Sequence, residues 1–449
     1  MLGADLPLVA VLPFVALLAA IAVGPLVAPR WWHSNRNKGL VAALVSLPIM
    51  LYLGVSLGEP GRVVLEEKVR DYVSFVVVIA ALFVISGGVH VEGSLSGTPL
   101  ANTALLGVGA VLANVVGTTG ASVLLIRPLL SANRSRRRTA HIVVFFIFLV
   151  SNCAGLLTPL GDPPLLLGFL KGVPFLWTLR LWPQWLTVTV MLLAVFNMWD
   201  QWVLAREERE RRGSQLERVL VHQPLRVVGA YNLTFLVAVV ATIVAAGQAG
   251  ALGRPWAFGR QEVIITLVAA GAYMATPHDH RERNAFSFGP ILEVAVLFAG
   301  IFVTMAPVLE ILNAWSQGRR EVAGIGFGIS EPWQFFWATG LLSSVLDNAP
   351  TYLAFSASAA GLGGVTAHGT FLGAFLGTGP EAARTLAAIA TGAVFMGANT
   401  YIGNAPNFMV KAIAQEHGVR MPSFFGYMAY SFGILGPIFL VTTLLFFRR

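Results

Sequence analysis

Apolar residues along this chain fall in long blocks separated by short polar stretches, without the alternation of a half-buried strand. Blocks of about 18 to 22 residues suit helices that cross a hydrocarbon layer of about 30 Å. The blocks predict spans near 7–28, 39–57 and 72–90, then a Gly-rich pair of short blocks at 101–116 and 120–130. A long block over 139–170 is interrupted at Thr158–Pro164, and another span covers 183–204. After a charged stretch from Arg206 to Arg226 the order recurs. Spans fall near 228–249, 261–276 and 290–312, followed by a short pair around Ser343–Thr351, an interrupted block over 384–413 and a last span at 423–447.

The recurrence extends to residues. Gly155-x-x-Thr158-x-x-Gly161-Asp162-x-Pro164 aligns with Gly397-x-x-Thr400-x-x-Gly403-Asn404-x-Pro406. Asn114–Gly120 aligns with Ser344–Pro350 and sets Gly117 against Asp347. The offsets are 242 and 230 residues, so the halves differ by a loop insertion. The expected fold is an all-α polytopic membrane protein with two inverted repeats. Each has about five transmembrane helices, a re-entrant hairpin and a broken helix. The repeats occupy 1–205 and 227–449, and a cytoplasmic charged linker occupies 206–226.

Composition narrows this further. The 449 residues are 56% hydrophobic and only 12% charged, against about 25% charged in soluble domains. The net charge of +8 sits in short runs between apolar blocks, which fits loops on an anionic leaflet and not nucleic acid. The positive-inside rule places Arg30/Arg36/Lys38, Arg134–Arg138, the linker, Arg281/Arg283 and Lys411/Arg420 in the cytoplasm, with both termini outside. A bacterial inner membrane is the expected location. Cys153 is the only cysteine, so no intramolecular disulfide forms. The stretch Met1–Asp5 lacks a basic run, and the first block is read as a retained span. Walker A, Rossmann and HExxH patterns are absent, and the lack of a Walker A loop argues against ATP-driven pumping.

Four helix breaks carry the candidate chemistry: Asn114–Gly120, Thr158–Pro164, Ser343–Thr351 and Asn399–Pro406. Breaks at membrane depth free backbone groups, and matched breaks in the two halves point to a transporter's midplane site. Gly117, Gly120, Gly161, Pro164, Pro350, Gly403 and Pro406 make the breaks. Asp162 and Asp347 are the carboxylates there. Asn152, Thr158, Thr118, Thr119, Ser343, Ser344, Asn348, Asn399, Thr400 and Asn404 offer amides and hydroxyls. Hard oxygens plus one negative charge suit a small monovalent cation. A carboxylate that holds either a proton or a cation is the minimal physics of exchange. A membrane-embedded enzyme using the two aspartates as an acid–base pair is a remote alternative, since a duplicated layout is not what an active site needs.

Asn152-x-x-Gly155-x-x-Thr158-x-x-Gly161-Asp162 and Asp347-Asn348-x-Pro350 resemble the repeat motifs of NhaD-type sodium/proton antiporters. Gly397-x-Asn399-Thr400-x-Ile402-Gly403 resembles a second-repeat motif shared with arsenite permeases and the wider ion transporter superfamily, which includes citrate and dicarboxylate carriers. The resemblance implies alternating-access transport coupled to Na⁺ or H⁺, with Na⁺ at Asp162 and Asp347 and no other cofactor. Cation-coupled carboxylate uptake and arsenite efflux stay open as alternatives. The dicarboxylate carriers' Ser-Asn-Thr signature is absent at both hairpin tips. Expected partners are the bilayer, a small ion or carboxylate, and a second copy of the chain.

Other polar residues read as secondary. Glu293 is a helix-end carboxylate or relay acid, Asp200 an interfacial helix end beside Trp199 and Trp202, and His90 and His141 interfacial histidines. His278-Asp279-His280 is a solvated loop cluster before it is a metal site.

Overall fold

The long apolar blocks become helices, and eight of those among the described residues are long and apolar enough to cross a membrane. The computed structural model describes residues 2–92, 97–210, 226–283, 286–322 and 325–448. The protein is an all-α polytopic integral membrane protein. Its main helices are α1 (Leu12–Val27), α2 (Asn35–Leu51), α3 (Gly58–Gly87), α4 (Pro99–Ala132), α5 (Ala140–Leu149), α6 (Pro163–Leu170) and α7 (Trp182–Glu210). They continue with α8 (Asn232–Ala251), α9 (Arg260–Ala275), α10 (Gly289–Ser316), α11 (Pro332–Ser343), α12 (Asn348–Leu362), α13 (Pro380–Met396), α14 (Ala405–Glu416) and α15 (Phe424–Phe446).

The α4 segment is not one straight rod. Gly117 sits at φ 79°, ψ 158°, a backbone conformation that side chains disfavour, and the chain turns back there. Asn102 and Asn133 exchange side-chain hydrogen bonds of 3.0 and 2.8 Å. Thirty-one residues of straight helix would hold them about 46 Å apart. Thr98 caps the first arm by accepting from the Ala101 N–H at 3.3 Å. Helices α11 and α12 pack together on either side of the break at Val345–Asp347.

Two groups of helices result. Helices α1, α2 and α3 pack with α8, α9 and α10, and α4 to α7 pack with α11 to α15. The groups meet where α10 packs on α12 and where α3 packs on α4 and α6. One feature has no sequence signal: β1 (His90–Glu92) pairs antiparallel with β2 (Arg226–Val228), tying the segment after α3 to the one before α8. Residues 211–225 of the expected linker lie outside the described residues, and α7 continues to Glu210, past the linker's expected start at Arg206.

Candidate functional site

The two interrupted blocks break in the same way. Asp162 and Asn404 both take extended backbone, φ −149° and −152°, and each precedes a half-helix, α6 or α14, with proline in its first two positions. Proline lacks the N–H that a first helical turn leaves unpaired, so the half-helix starts there at little cost. Gly155 packs directly on Gly161, and Gly397 on Gly403, so closely that a Cβ on either second glycine would collide with the first glycine's carbonyl oxygen. Each hairpin tip then docks on the break of its own half. The Thr118 N–H donates to the Gly161 carbonyl at 2.8 Å, and the Thr400 hydroxyl donates to the Ser344 carbonyl at 2.6 Å.

Asp162 is where the halves of the chain meet. It is 2% exposed and accepts the Thr118 hydroxyl at 2.9 Å, the Asn404 amide at 3.3 Å and the Asn348 amide. All three donors point their protons at the carboxylate, so the network fixes its position and orientation. The Asn348 side-chain oxygen is buried and finds no partner among the described residues. Turning that amide over would aim its oxygen at the carboxylate, so the donor must face Asp162 and the oxygen must face away. Asp347 is half-buried; its Oδ1 caps α12 by accepting from the Ala349 N–H at 3.1 Å.

Both aspartates line one cavity of about 510 Å³. It runs past Thr118, Thr119 and Asn404 to His33, Lys38 and Glu293, between the two helix groups. Lys38 and Glu293 form an ion pair of 2.8 Å at that end.

The remaining predicted residues brace the breaks from behind. Ser343 donates to the Ala393 carbonyl at 2.7 Å. Ser344 donates to Gly340 and Met396 carbonyls and accepts the Asn399 amide at 2.9 Å. Thr158 donates to the Asn114 carbonyl at 2.6 Å. Asn152 touches the carboxylate only through Asn404, whose amide it accepts at 3.2 Å. Asn407, which the sequence reading missed, accepts the Asn152 amide at 2.7 Å and donates to the Gly397 and Thr400 carbonyls at 2.9 Å each. A lone amide in the first turn of an apolar half-helix was its signal.

The far end of the half-helix is also polar. Lys171, which follows the apolar half-helix α6, is 3% exposed and pairs with Glu67 at 2.7 Å and Asp71 at 2.5 Å. His368 joins them, 3.8 Å from Glu67 and 3.4 Å from Glu310. The Gly369 N–H donates to Glu67 at 3.0 Å. Lys68 is buried beside Glu67 and Asp71 at 3.7 and 3.8 Å. These residues clamp α3 and α10 to the end of α6 and to the loop after α12.

Asp200 differs from the interfacial end expected of it. It is fully buried and bonded to Arg136 at 2.6 Å, His141 at 2.8 Å and Asn102 at 2.9 Å. His141 is likewise buried within the protein. His278, Asp279 and Glu282 lie close enough to share an ion but are all exposed.

No curated protein sequence matches the chain. Residues 3–447 match the family described as "Putative citrate transport". The match spans nearly every helix described above, and the chain belongs to that citrate transport family of membrane proteins.

Proposed function

We propose that the protein is a cation-coupled secondary transporter, in which a small monovalent cation arriving at Asp162 draws the side-chain oxygen of Asn348 round to ligate it. The observation that carries this reading is that orphaned, buried oxygen. An unpaired buried acceptor costs about 1–3 kcal/mol, and a cation shared with the adjacent carboxylate would recover it. Asp347, on the same cavity wall, is the second exchangeable acid. The matched breaks support two inverted repeats over 1–205 and 227–449, with α4 and α11–α12 as re-entrant hairpins. Sodium/proton antiport by alternating access fits a site with two acids and no arginine on the cavity wall.

The cavity reaches His33 in the basic loop between α1 and α2, and Lys38 in the first turn of α2, so this conformation faces the cytoplasm by the positive-inside rule, with both termini outside. The Lys171–Glu67–Asp71–His368 cluster closes the opposite face. The family match favours a second reading, carboxylate uptake with a cation. Half-helix N-termini at Asp162 and Asn404 would then face the anion. Proteoliposomes separate the two. Antiport gives sodium-dependent proton movement without carboxylate. Uptake gives labelled citrate accumulation under a sodium gradient. Neither signal in protein shown to be folded and inserted sinks both.

A further inference from the structure

A second cavity, of about 660 Å³, lies at the base of the α4 hairpin, on the same face as the mouth of the first. Arg134, Arg136, Arg137 and Arg138 reach it from the α4–α5 loop, and Arg420 reaches it from beyond α14. The acids nearby are already engaged. Asp200 holds Arg136 and His141, and Glu210 takes Arg138 through two bonds of 3.0 Å. Glu207 accepts the Arg138 backbone N–H at 2.6 Å. Among the described residues no acid meets Arg134, Arg137 or Arg420.

Arg136 adds an independent observation. Its side chain is 4% exposed, and one nitrogen, Nη1, serves both Asp200 and the Gly97 carbonyl. Its Nε and Nη2 are buried and find no partner among the described residues. A buried guanidinium edge without acceptors is costly, and its fork matches two oxygens of one phosphate. The N-terminus of α5, at Thr139 and Ala140, opens on the same cavity and adds positive potential. Trp199, Trp202 and Tyr430 form its aromatic wall, as at a membrane–water boundary.

We propose that this cavity binds a phosphate-bearing anion, with Arg136 as the buried anchor and Arg134, Arg137 and Arg420 as outer contacts. Basic pockets between membrane helices take anionic headgroups by this chemistry, and a soluble phosphate ester would use the same donors. Occupancy would brace the Asn102–Asn133–Asp200 junction that closes the base of the hairpin, whose tip carries Thr118.

The test is thermal unfolding of the purified full chain in neutral detergent, at fixed ionic strength. One arm adds phosphatidylglycerol, a second adds pyrophosphate, and phosphatidylcholine and chloride are the controls. The proposal expects a saturable rise in the unfolding midpoint with at least one of the two net-anionic phosphate additives, phosphatidylglycerol or pyrophosphate, and none with zwitterionic phosphatidylcholine or chloride. A rise only with phosphatidylglycerol identifies a lipid headgroup, and a rise only with pyrophosphate a soluble ligand. The triple variant Arg134→Gln/Arg137→Gln/Arg420→Gln, whose side chains make no internal ion pair among the described residues, should fold and lose the rise. Arg136→Lys should weaken the response about tenfold or more, since an ammonium cannot present the fork. No rise in the wild type, or an undiminished rise in the triple variant, overturns the proposal.

Discussion

Lys171 and Asp71 form a buried ion pair of 2.5 Å that joins the end of half-helix α6 to helix α3, and so links the two helix groups on the face opposite the cavity mouth. Removing Lys171 takes the shortest ion pairs from Glu67 and Asp71 and leaves them Lys68 at 3.7 and 3.8 Å, a loss that falls only on conformations in which the cluster forms. Lys171→Met is expected to loosen the clamped face. A cysteine introduced at Thr119, in a chain whose Cys153 has been replaced, should then react with a membrane-impermeant thiol reagent from the clamped side. Unchanged labelling in Lys171→Met would mean that the pair does not set which face is open.

His368 gives the same clamp a pH dependence. It faces the acids Glu67 and Glu310, with Lys68 opposing and Lys171 and Asp71 beyond them. The facing Glu67 carboxylate raises its proton affinity above the ordinary histidine value of 6.5. The charged ring therefore contributes fully below that value, and its contribution is lost as pH rises through the raised one. Labelling at position 119 from the clamped side should increase with pH. His368→Gln should flatten that rise, and a wild-type slope surviving in this variant would assign it elsewhere.

Gly161 and Gly155 are packed too closely for any larger residue at position 161. The opposing atoms are backbone, so no side chain can move aside. Gly161→Ala should shift the Asp162 carboxylate off Thr118 and Asn348 and cut transport by at least about tenfold, the effect of losing one charge-assisted bond of 1.5–3 kcal/mol. Its pair in the second half, Gly403→Ala, should behave alike. Initial rates in proteoliposomes, normalised to inserted protein, decide it. Wild-type rates in both variants would show that the close glycine contact is not needed.

Much of this arrangement is legible in the sequence because it is written in backbone chemistry. Pro164 and Pro406 start half-helices, Gly117 turns a hairpin, and the Gly155/Gly161 and Gly397/Gly403 pairs announce two like breaks. Asp162 and Asp347 stand out because charge is rare in apolar blocks. The partners across the fold are not legible. Nothing near Lys171 in the chain signals Glu67, 104 residues away, so a lysine after an apolar stretch reads as a return to water. Asp200 misleads in the same way, because Trp199 and Trp202 place it at an interface while Arg136, His141 and Asn102 bury it. Ser343 and Ser344 look like ligands from their types, but their hydroxyls are spent on carbonyls of the neighbouring helix.

The two aspartates should separate by substitution. Asp347 caps α12 with one oxygen, and asparagine caps a helix about as well as aspartate. Asp347→Asn should therefore fold with a wild-type unfolding midpoint while losing cation-coupled proton movement. Asp162 accepts three donors, two of them from the second half of the chain. Asparagine there must turn an amide toward at least one of them, so Asp162→Asn should lose both transport and stability, by about 1–3 kcal/mol. Dye quenching in proteoliposomes reads the first property and thermal unfolding the second. Full activity in Asp347→Asn would remove it from the exchange, and an unchanged midpoint in Asp162→Asn would mean that its network does not hold the halves together.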